Sequence, residues 1–429
     1  MLPTVHIAHG LSARKARRLS LPGRTQSPAP SRRAPRRLEG EAVPLRPARR
    51  RSRPQGKEAA HPRGSPQSDC LKRKGFAVDT THQPLESEAP LNREALIRLF
   101  DAPESERPAL FARARAARER VFGSKVFLYG FLYLSTHCRN DCAFCHYRRS
   151  NTALARYRKS TDELLEAARR LASDGVHLLD LTLGEDPYYV EEPGFSRLTE
   201  LVSALRQATG LPIMVSPGVL PAQRLARLRE AGADWYACYQ ETHIRKRFEG
   251  LRLGQDYDVR RRARLDAASC GLLAEDGLLT GLGESAADLA DSILAMRAEP
   301  LAQVRAMSYV PHPTTLPVPP AAPETRRTRE LLAIAAMRLA MPDRLIPASL
   351  DVDGLEGLAA RLEAGANVVT SIVPSGCGLA GVASEDLDIE NERRGVAAVV
   401  EGLRALGLEP AAPAEYREWV RSRAQGRKE

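Results

Sequence analysis

From Val126 onward the chain repeats one alternation eight times, a short apolar run followed by a longer amphipathic one. The short runs are 126–135, 177–183, 211–216, 234–239, 277–282, 302–310, 344–350 and 366–373. The amphipathic runs are 160–174, 195–208, 221–232, 258–270, 285–298, 324–340, 354–364 and 389–406. Apolar runs of strand length with little polar interruption read as strands covered on both faces, as in a parallel sheet. Eight strand-then-helix units in succession predict an α/β fold, a (β/α)8 TIM-type barrel. Periodicity does not report closure, so a doubly wound open sheet is the second reading. In a barrel, chemistry is carried at the C-terminal ends of the strands and on the loops that follow them.

The loop after the first strand reads LSTHCRNDCAFCHYRRSN, residues 134–151. Cys138, Cys142 and Cys145 stand in it at C-x3-C-x2-C spacing. Three thiolates on one loop can hold three irons of a [4Fe–4S] cluster. The fourth iron would then stay open to a small molecule. Zinc is the competing reading, because His137 or His146 would complete a Cys3His set, although structural zinc sites more often pair two short motifs. A disulfide is disfavoured by the odd number of clustered cysteines and by the absence of any mark of secretion.

The net charge of +11 is unevenly spread. Residues 1–80 carry 19 Lys and Arg against 5 Asp and Glu, more than the whole excess, so the remainder is close to neutral. That segment is rich in Arg, Pro, Ser and Gly and too poor in apolar residues to offset its ordering entropy, which predicts a disordered basic N-terminal tail. Its charges could touch phosphates, or it could resemble a transit peptide. The plainer reading, an extension without function from a misassigned start, is preferred because no aromatic residue interleaves the charges, and nucleic acid is not expected as a partner. Residues 81–125 are expected to form N-terminal capping helices, 126–410 the barrel, and 411–429 a polar C-terminal tail. Seven cysteines, three of them in one motif, suit a reducing cytoplasm. No apolar run approaches the ~20 residues of a membrane span.

The strand ends supply the candidate ligands. Strand two carries Asp180 and ends in Leu183-Gly184-Glu185-Asp186-Pro187. A plain turn is the simple reading there, and a carboxylate, Glu185, aimed at a ligand ammonium is the functional one. Glu241 stands at the end of strand four, and the run Arg260, Arg261, Arg262 follows. Charge pairing on a helix face is the simpler expectation for any one of those arginines. Arg305 lies inside strand six, where a cation needs an anion: a substrate carboxylate, or an internal pair with Asp180 or Asp351. Ser349 and Asp351 share a face by the alternation of strand seven, Asp353 is placed to cap the following helix, and Ser375 follows strand eight. Asp180, Arg305, Ser349, Asp351 and Ser375 together suit a zwitterionic amino acid with an additional amine.

The runs FLYGFLYLSTHCRNDCAFCHYRRSN, LTLGEDP, YQETH, VRAMSYVP, PASLDVDG and GANVVTSIVPS together resemble the methylornithine synthase family of radical S-adenosylmethionine (SAM) enzymes, over roughly residues 90–410. The resemblance implies a radical SAM barrel that isomerises L-lysine to 3-methylornithine, (3R)-3-methyl-D-ornithine, on the way to pyrrolysine. It implies a [4Fe–4S] cluster on Cys138, Cys142 and Cys145. SAM would bind the open iron and be regenerated after a 5′-deoxyadenosyl radical has removed and returned a hydrogen. Glu185, in a segment similar to the family's GGE motif with Leu183 for the first glycine, together with Glu241 and Arg260, would contact SAM. Asp180, Arg305, Ser349, Asp351 and Ser375 would hold the amino acid. An electron donor such as flavodoxin or ferredoxin is implied as partner. Two features depart from the family pattern: the basic tail, and His146 where an aromatic is expected after the last cysteine.

Two rival readings remain. The first is a radical SAM enzyme of the biotin synthase or hydrogenase-maturation kind, whose second cluster would call on Cys238, Cys270 and Cys377. The second is a zinc- or RNA-binding protein that uses the tail.

Overall fold

The computed structural model describes residues 91–312, 315, 323–374, 376–379 and 394–425. The basic tail, Ser375 and residues 389–393 at the start of the last expected helix lie outside the described residues.

Strand β1, Lys125–Ser135, sets the plan of the barrel. Its sequence KVFLYGFLYLS alternates two kinds of side chain, and strand side chains point to opposite faces with period two. Phe127, Tyr129, Phe131 and Tyr133 pack into the interior cluster. Val126, Leu128, Leu132 and Leu134 pack outward with the helices. Gly130 stands in the outward row, where a Cβ would lie 2.8 Å from Leu171 Cδ1 of the helix Thr161–Asp174.

Seven further parallel strands follow: β2 Leu178–Leu183, β3 Ile213–Ser216, β4 Trp235–Ala237, β5 Leu273–Thr280, β6 Leu301–Ser308, β7 Pro347–Ser349 and β8 Val368–Ile372. They are ordered β6-β5-β4-β3-β2-β1-β8-β7. A parallel bridge between Gln303 and Leu345 joins the two ends of that order. The closed reading of the sequence therefore holds over the open sheet. A two-residue strand, β9 Glu409–Pro410, pairs with β1.

The helices are α1 Arg93–Phe100, α2 Arg107–Phe122, α3 Thr161–Asp174, α4 Pro187–Val190, α5 Gly194–Thr209, α6 Ala222–Glu230, α7 Arg245–Leu251, α8 Tyr257–Ser269, α9 Ala286–Arg297, α10 Pro323–Ala340, α11 Leu358–Glu363, α12 Val396–Ala405 and α13 Pro413–Gln425. Ser160 and Ser285 open α3 and α9 with capping boxes that satisfy N-terminal amides. The expected N-terminal helices are present, α1 packed on α9 and α10, and α2 on α10 and α11.

Three expectations are corrected. Strand five begins at Leu273, four residues before the apolar run predicted for it, because Glu275 and Asp276 lie inside the strand. Asp353 makes no side-chain cap; its carboxylate pairs instead with Arg327 and Arg361, each at 3.2 Å. The polar segment 411–429 contains helix α13, which closes the barrel at the N-terminal ends of the strands. Its Tyr416 is fully buried and meets the Tyr129 hydroxyl at 2.8 Å. Trp419 stacks on Trp235 with ring centroids 5.9 Å apart.

A buried ion pair ties the helix layer to the mouth of the barrel. Arg361 of α11 meets Glu330 of α10 at 2.5 Å, and Glu330 also accepts from Ser308 at the end of β6. Removing one partner of a buried pair leaves an uncompensated charge. Arg361→Ala is therefore expected to cost about 3–5 kcal/mol, read from denaturant unfolding; a loss near zero would show that Glu330 finds another partner.

Candidate active site

The C-terminal ends of the strands surround a cleft with about 1120 Å³ of space, its mouth included. Cys138, Cys142 and Cys145 form one side of it. Glycine makes their placement possible. A Cβ on Gly184 would lie 2.2 Å from the His137 carbonyl oxygen and 2.9 Å from Cys138 Cβ. The cysteine loop thus rests directly on the end of β2, and the Arg139 amide donates to the Glu185 carbonyl at 3.0 Å.

The loop suits an iron–sulfur cluster. Burial pushes the Cys138 thiol up, and burial with the neighbouring Cys142 and Cys138 thiols pushes Cys145 up further. A cationic iron core would offset both effects, since metal binding requires the thiolates. Two donors already address sulfur: Gln255 Nε2 lies 3.0 Å and Arg252 Nη1 3.5 Å from Cys142 Sγ. Among the described residues no three His, Cys, Asp or Glu converge as the shell of a single metal ion would. Neither His137 nor His146 lines the cleft; His146 packs against His312 and bonds Asn151. Of the other described cysteines only Cys238 reaches the cleft. Cys270 faces the Ala222 carbonyl, and Cys377 faces Arg170.

Glu185, Glu241 and Arg260 all line the cleft. Glu185 accepts from Arg139 at 2.6 and 2.8 Å and from Asn140 at 2.9 Å. Glu241 pairs with Arg252 at 3.0 Å, while burial pushes its carboxyl up. The three consecutive arginines separate cleanly. Arg260 turns inward with Ala263, Arg264 and Ala267 along the buried face of α8. Arg261 and Arg262 pair outside with Glu299 and Asp266, each at 2.7 Å.

The expected amino-acid set is divided between two levels. Asp351 lines the cleft. It accepts from the hydroxyls of Tyr133 and Ser371, each at 2.9 Å, and pairs with Arg394 at 3.2 Å. Ser349 lies beside Ser371, oxygens 3.4 Å apart. Asp180 and Arg305 sit one inward layer below the cleft residues Thr182 and Met307. Arg305 does not pair with Asp180 or Asp351, as the internal-pair reading expected. Its Nε donates to Glu275 at 2.7 Å, and its guanidinium covers the Tyr239 ring. Arg305 Nη2 and Asp180 Oδ2 are buried without a hydrogen-bond partner. Asp180 Oδ1 accepts from Thr182 and Ser216, each at 3.0 Å. Burial, and after it the Glu275 charge, push Asp180 up to about 7. Glu275 and Gln255 escaped the sequence reading as site residues. A cation inside a strand did signal that a buried acid was needed, but not which one.

The chain has recognisable relatives. Residues 132–295 match the model of the radical SAM superfamily. The 3-methylornithine synthase of Methanosarcina acetivorans is 43% identical over 318 residues, covering 74% of this chain and 89% of that one. The [FeFe] hydrogenase maturase subunit HydE of Thermotoga maritima is 30% identical over 266 residues, covering 61% and 74%. A crystal structure of methylornithine synthase (PylB) superposes with a TM-score of 0.72 at 38% identity, covering 77% of this chain and 97% of that one. An (β/α)8 barrel with this cysteine loop and this degree of identity places the chain in the 3-methylornithine synthase family of radical SAM enzymes.

Proposed function

We propose that this chain isomerises L-lysine to 3-methylornithine. The observation that carries the reading is a cleft with three cysteines on its side and an incompletely paired charge set, Asp180, Arg305 and Glu275, under its floor. When bound, the cluster and SAM supply a one-electron cleavage whose 5′-deoxyadenosyl radical abstracts hydrogen from the substrate. The protein's part is binding, orientation and exclusion of water.

Cys138, Cys142 and Cys145 would hold the cluster, with Gln255 and Arg252 donating toward Cys142. Glu185, Glu241 and Arg260 are proposed for SAM. A guanidinium with a spare nitrogen is a fitting partner for the substrate carboxylate, which an arginine can fix in orientation as well as in charge. Asp180 Oδ2 and Asp351 offer carboxylate to ammonium groups, and Ser349 and Ser375 offer hydroxyls. Charges at two depths suit a substrate charged at both ends. An electron donor, flavodoxin or ferredoxin, completes the proposal. No helix among the described residues is long and apolar enough to cross a membrane, and a cytoplasmic setting agrees with the cysteine usage.

The direct test is anaerobic incubation with SAM, a reductant and isotope-labelled L-lysine, followed by mass spectrometry. A branched isomer of unchanged mass is expected, and recovery of lysine alone would overturn the assignment. Arg305→Ala is expected to abolish turnover while iron content and SAM cleavage persist; normal product formation would remove Arg305 from the substrate site.

Asp180 gives a pH prediction. Its folded pKa lies above the unfolded one, so the native state holds the extra proton between about pH 4 and about pH 7. Its contribution to stability is therefore present at low pH and lost as pH rises through that window. Asp180→Asn should stabilise the ligand-free protein at about pH 8 by up to a few kcal/mol relative to about pH 5. Denaturant midpoints at the two pH values read the effect, and an equal shift at both would refute it.

A further inference from the structure

Cys142 differs from the other two cysteines of its loop in what addresses the sulfur. Backbone amides of Asn140 and Glu185 face Cys138, and the amide of Tyr147 faces Cys145. Cys142 meets two side chains, Gln255 Nε2 at 3.0 Å and Arg252 Nη1 at 3.5 Å. A backbone amide is present whatever the residue, whereas a side-chain donor depends on residue type. Cys142 is therefore the ligand whose surroundings the sequence can adjust.

The two donors are not equally committed to that sulfur. Arg252 Nη2 is taken by the Tyr239 carbonyl at 2.7 Å and by Glu241 at 3.0 Å. Gln255 makes the shorter contact and is held in place from both sides. Its backbone amide donates to the Arg252 carbonyl at 3.0 Å, and the next residue, Asp256, caps α8 by accepting the Val259 amide at 2.9 Å. Its side-chain oxygen accepts from Arg260 Nη1 at 3.2 Å. That contact fixes the amide, because arginine has N–H donors and no acceptor. The oxygen of Gln255 must face Arg260, and its NH2 group is turned to the sulfur. A ligating thiolate carries no proton and only accepts. A side chain that joins a donor-only cation to an acceptor-only sulfur has to do both, as a glutamine amide does. Gln255 is not among the residues that line the cleft, so it acts on the site through Cys142 and Arg260.

We propose that Gln255 tunes the reduction potential of the cluster, through a hydrogen bond to the Cys142 ligand that Arg260 holds in register. The inference rests on the radical SAM reading and adds to it a positioning residue outside the ligand set. One electron from a low-potential chemical reductant takes the cluster from its oxidised to its reduced state, the reductant is oxidised by one electron, and no bond forms or breaks. The negative charge on cluster and thiolates grows by one. An N–H aimed at a ligating sulfur interacts more strongly with the more negative state and so favours reduction. Hydrogen bonds to the sulfurs are among the terms that set such potentials, and groups behind the ligands tune a metal site in general.

The test compares the full-length wild-type chain with Gln255→Met and Gln255→Glu, each reconstituted anaerobically with iron and sulfide. Methionine keeps the length of the side chain and removes the N–H. Glutamate keeps the length and the contact with Arg260, removes the donor and adds a negative charge. Potentials are read by a mediated redox titration followed by electron paramagnetic resonance of the reduced cluster. Gln255→Met is expected to lower the equilibrium constant for reduction about ten-fold, the order of one hydrogen bond, which is about 59 mV for one electron. Gln255→Glu is expected to lower it at least as far, and iron content should match the wild type in both. A side chain that only packed the loop would change iron content and leave the potential where it was. A second measurement needs no variant. With the glutamine side-chain nitrogen isotope-labelled in the wild-type chain, pulsed resonance of the reduced cluster is expected to show coupling to that nitrogen across the hydrogen bond. If a variant takes up no cluster, this coupling decides. Potentials equal to the wild type in both variants, or no coupling to the labelled amide, would overturn the proposal alone. A wild-type chain that takes up no cluster would overturn the radical SAM reading, and this inference with it.

Discussion

A guanidinium in the interior of a barrel has to be neutralised there, and much of the site follows from how Arg305 meets that demand. Glu275 takes Nε, the Tyr239 ring takes one face, and one nitrogen is left over. Breaking a buried pair costs several kcal/mol, whereas completing one recovers part of its desolvation. An incoming carboxylate would therefore be drawn to this depth rather than held at the mouth. Asp180, on β2, carries the opposite deficiency, with one oxygen satisfied by hydroxyls and the other by none. Such a floor works only if water is kept out from below. Helix α13 does that with Tyr416 and Trp419 against Phe127, Tyr129 and Trp235.

The same economy of wall thickness appears around the cysteine loop. The end of β2 approaches the loop so closely that only glycine fits at position 184. At Gly218, whose φ is +82°, a Cβ would lie 2.4 Å from the side-chain oxygen Oε2 of Glu185. Glu185 is thereby clamped between Arg139 on the outer side and the cleft on the inner. Its carboxylate is an element of the wall as much as a ligand, which ties the charge outside to the geometry inside.

Legibility in the sequence followed how local each constraint was. The eight strands could be read because apolar runs and turns are local, and the cysteine loop because its spacing is. Helix spacing also contained the answer for the arginine triplet: Arg260, Ala263, Arg264 and Ala267 recur as one helical face, which singles out Arg260. What could not be read was pairing across the barrel. Two consecutive acids, Glu275 and Asp276, interrupt the apolar pattern of β5 and hid its first half. They point to opposite faces, one to Arg305 inside and the other to Arg264 outside. Helix α13 was hidden for a related reason: two aromatic anchors in PAEYREWVRSRAQ are outnumbered by charge, and only the open end of the barrel gives them a use.

Asp276 explains a further feature of the site. Glu241 has a positive φ of 68°, and Ser371 one of 65°, the two such non-glycine residues among those described. Each costs of order 1–3 kcal/mol and persists only where the surroundings impose it. Both stand around the mouth of the barrel. The Asp276 carboxylate accepts the amides of Gln240 and Gly277, each at 2.7 Å, and fixes the residue before Glu241. Arg264 and His243 stand 3.0 and 3.1 Å from its other oxygen. Against the upward push of burial they hold the Asp276 carboxyl down at about 2. Glu241 is then pinned on both sides, its amide donating to Gly277 and its carbonyl accepting from Leu279. A polar network outside the barrel thus holds one strained residue inside it, and the strained conformation presents the Glu241 side chain to the cleft beside Arg252.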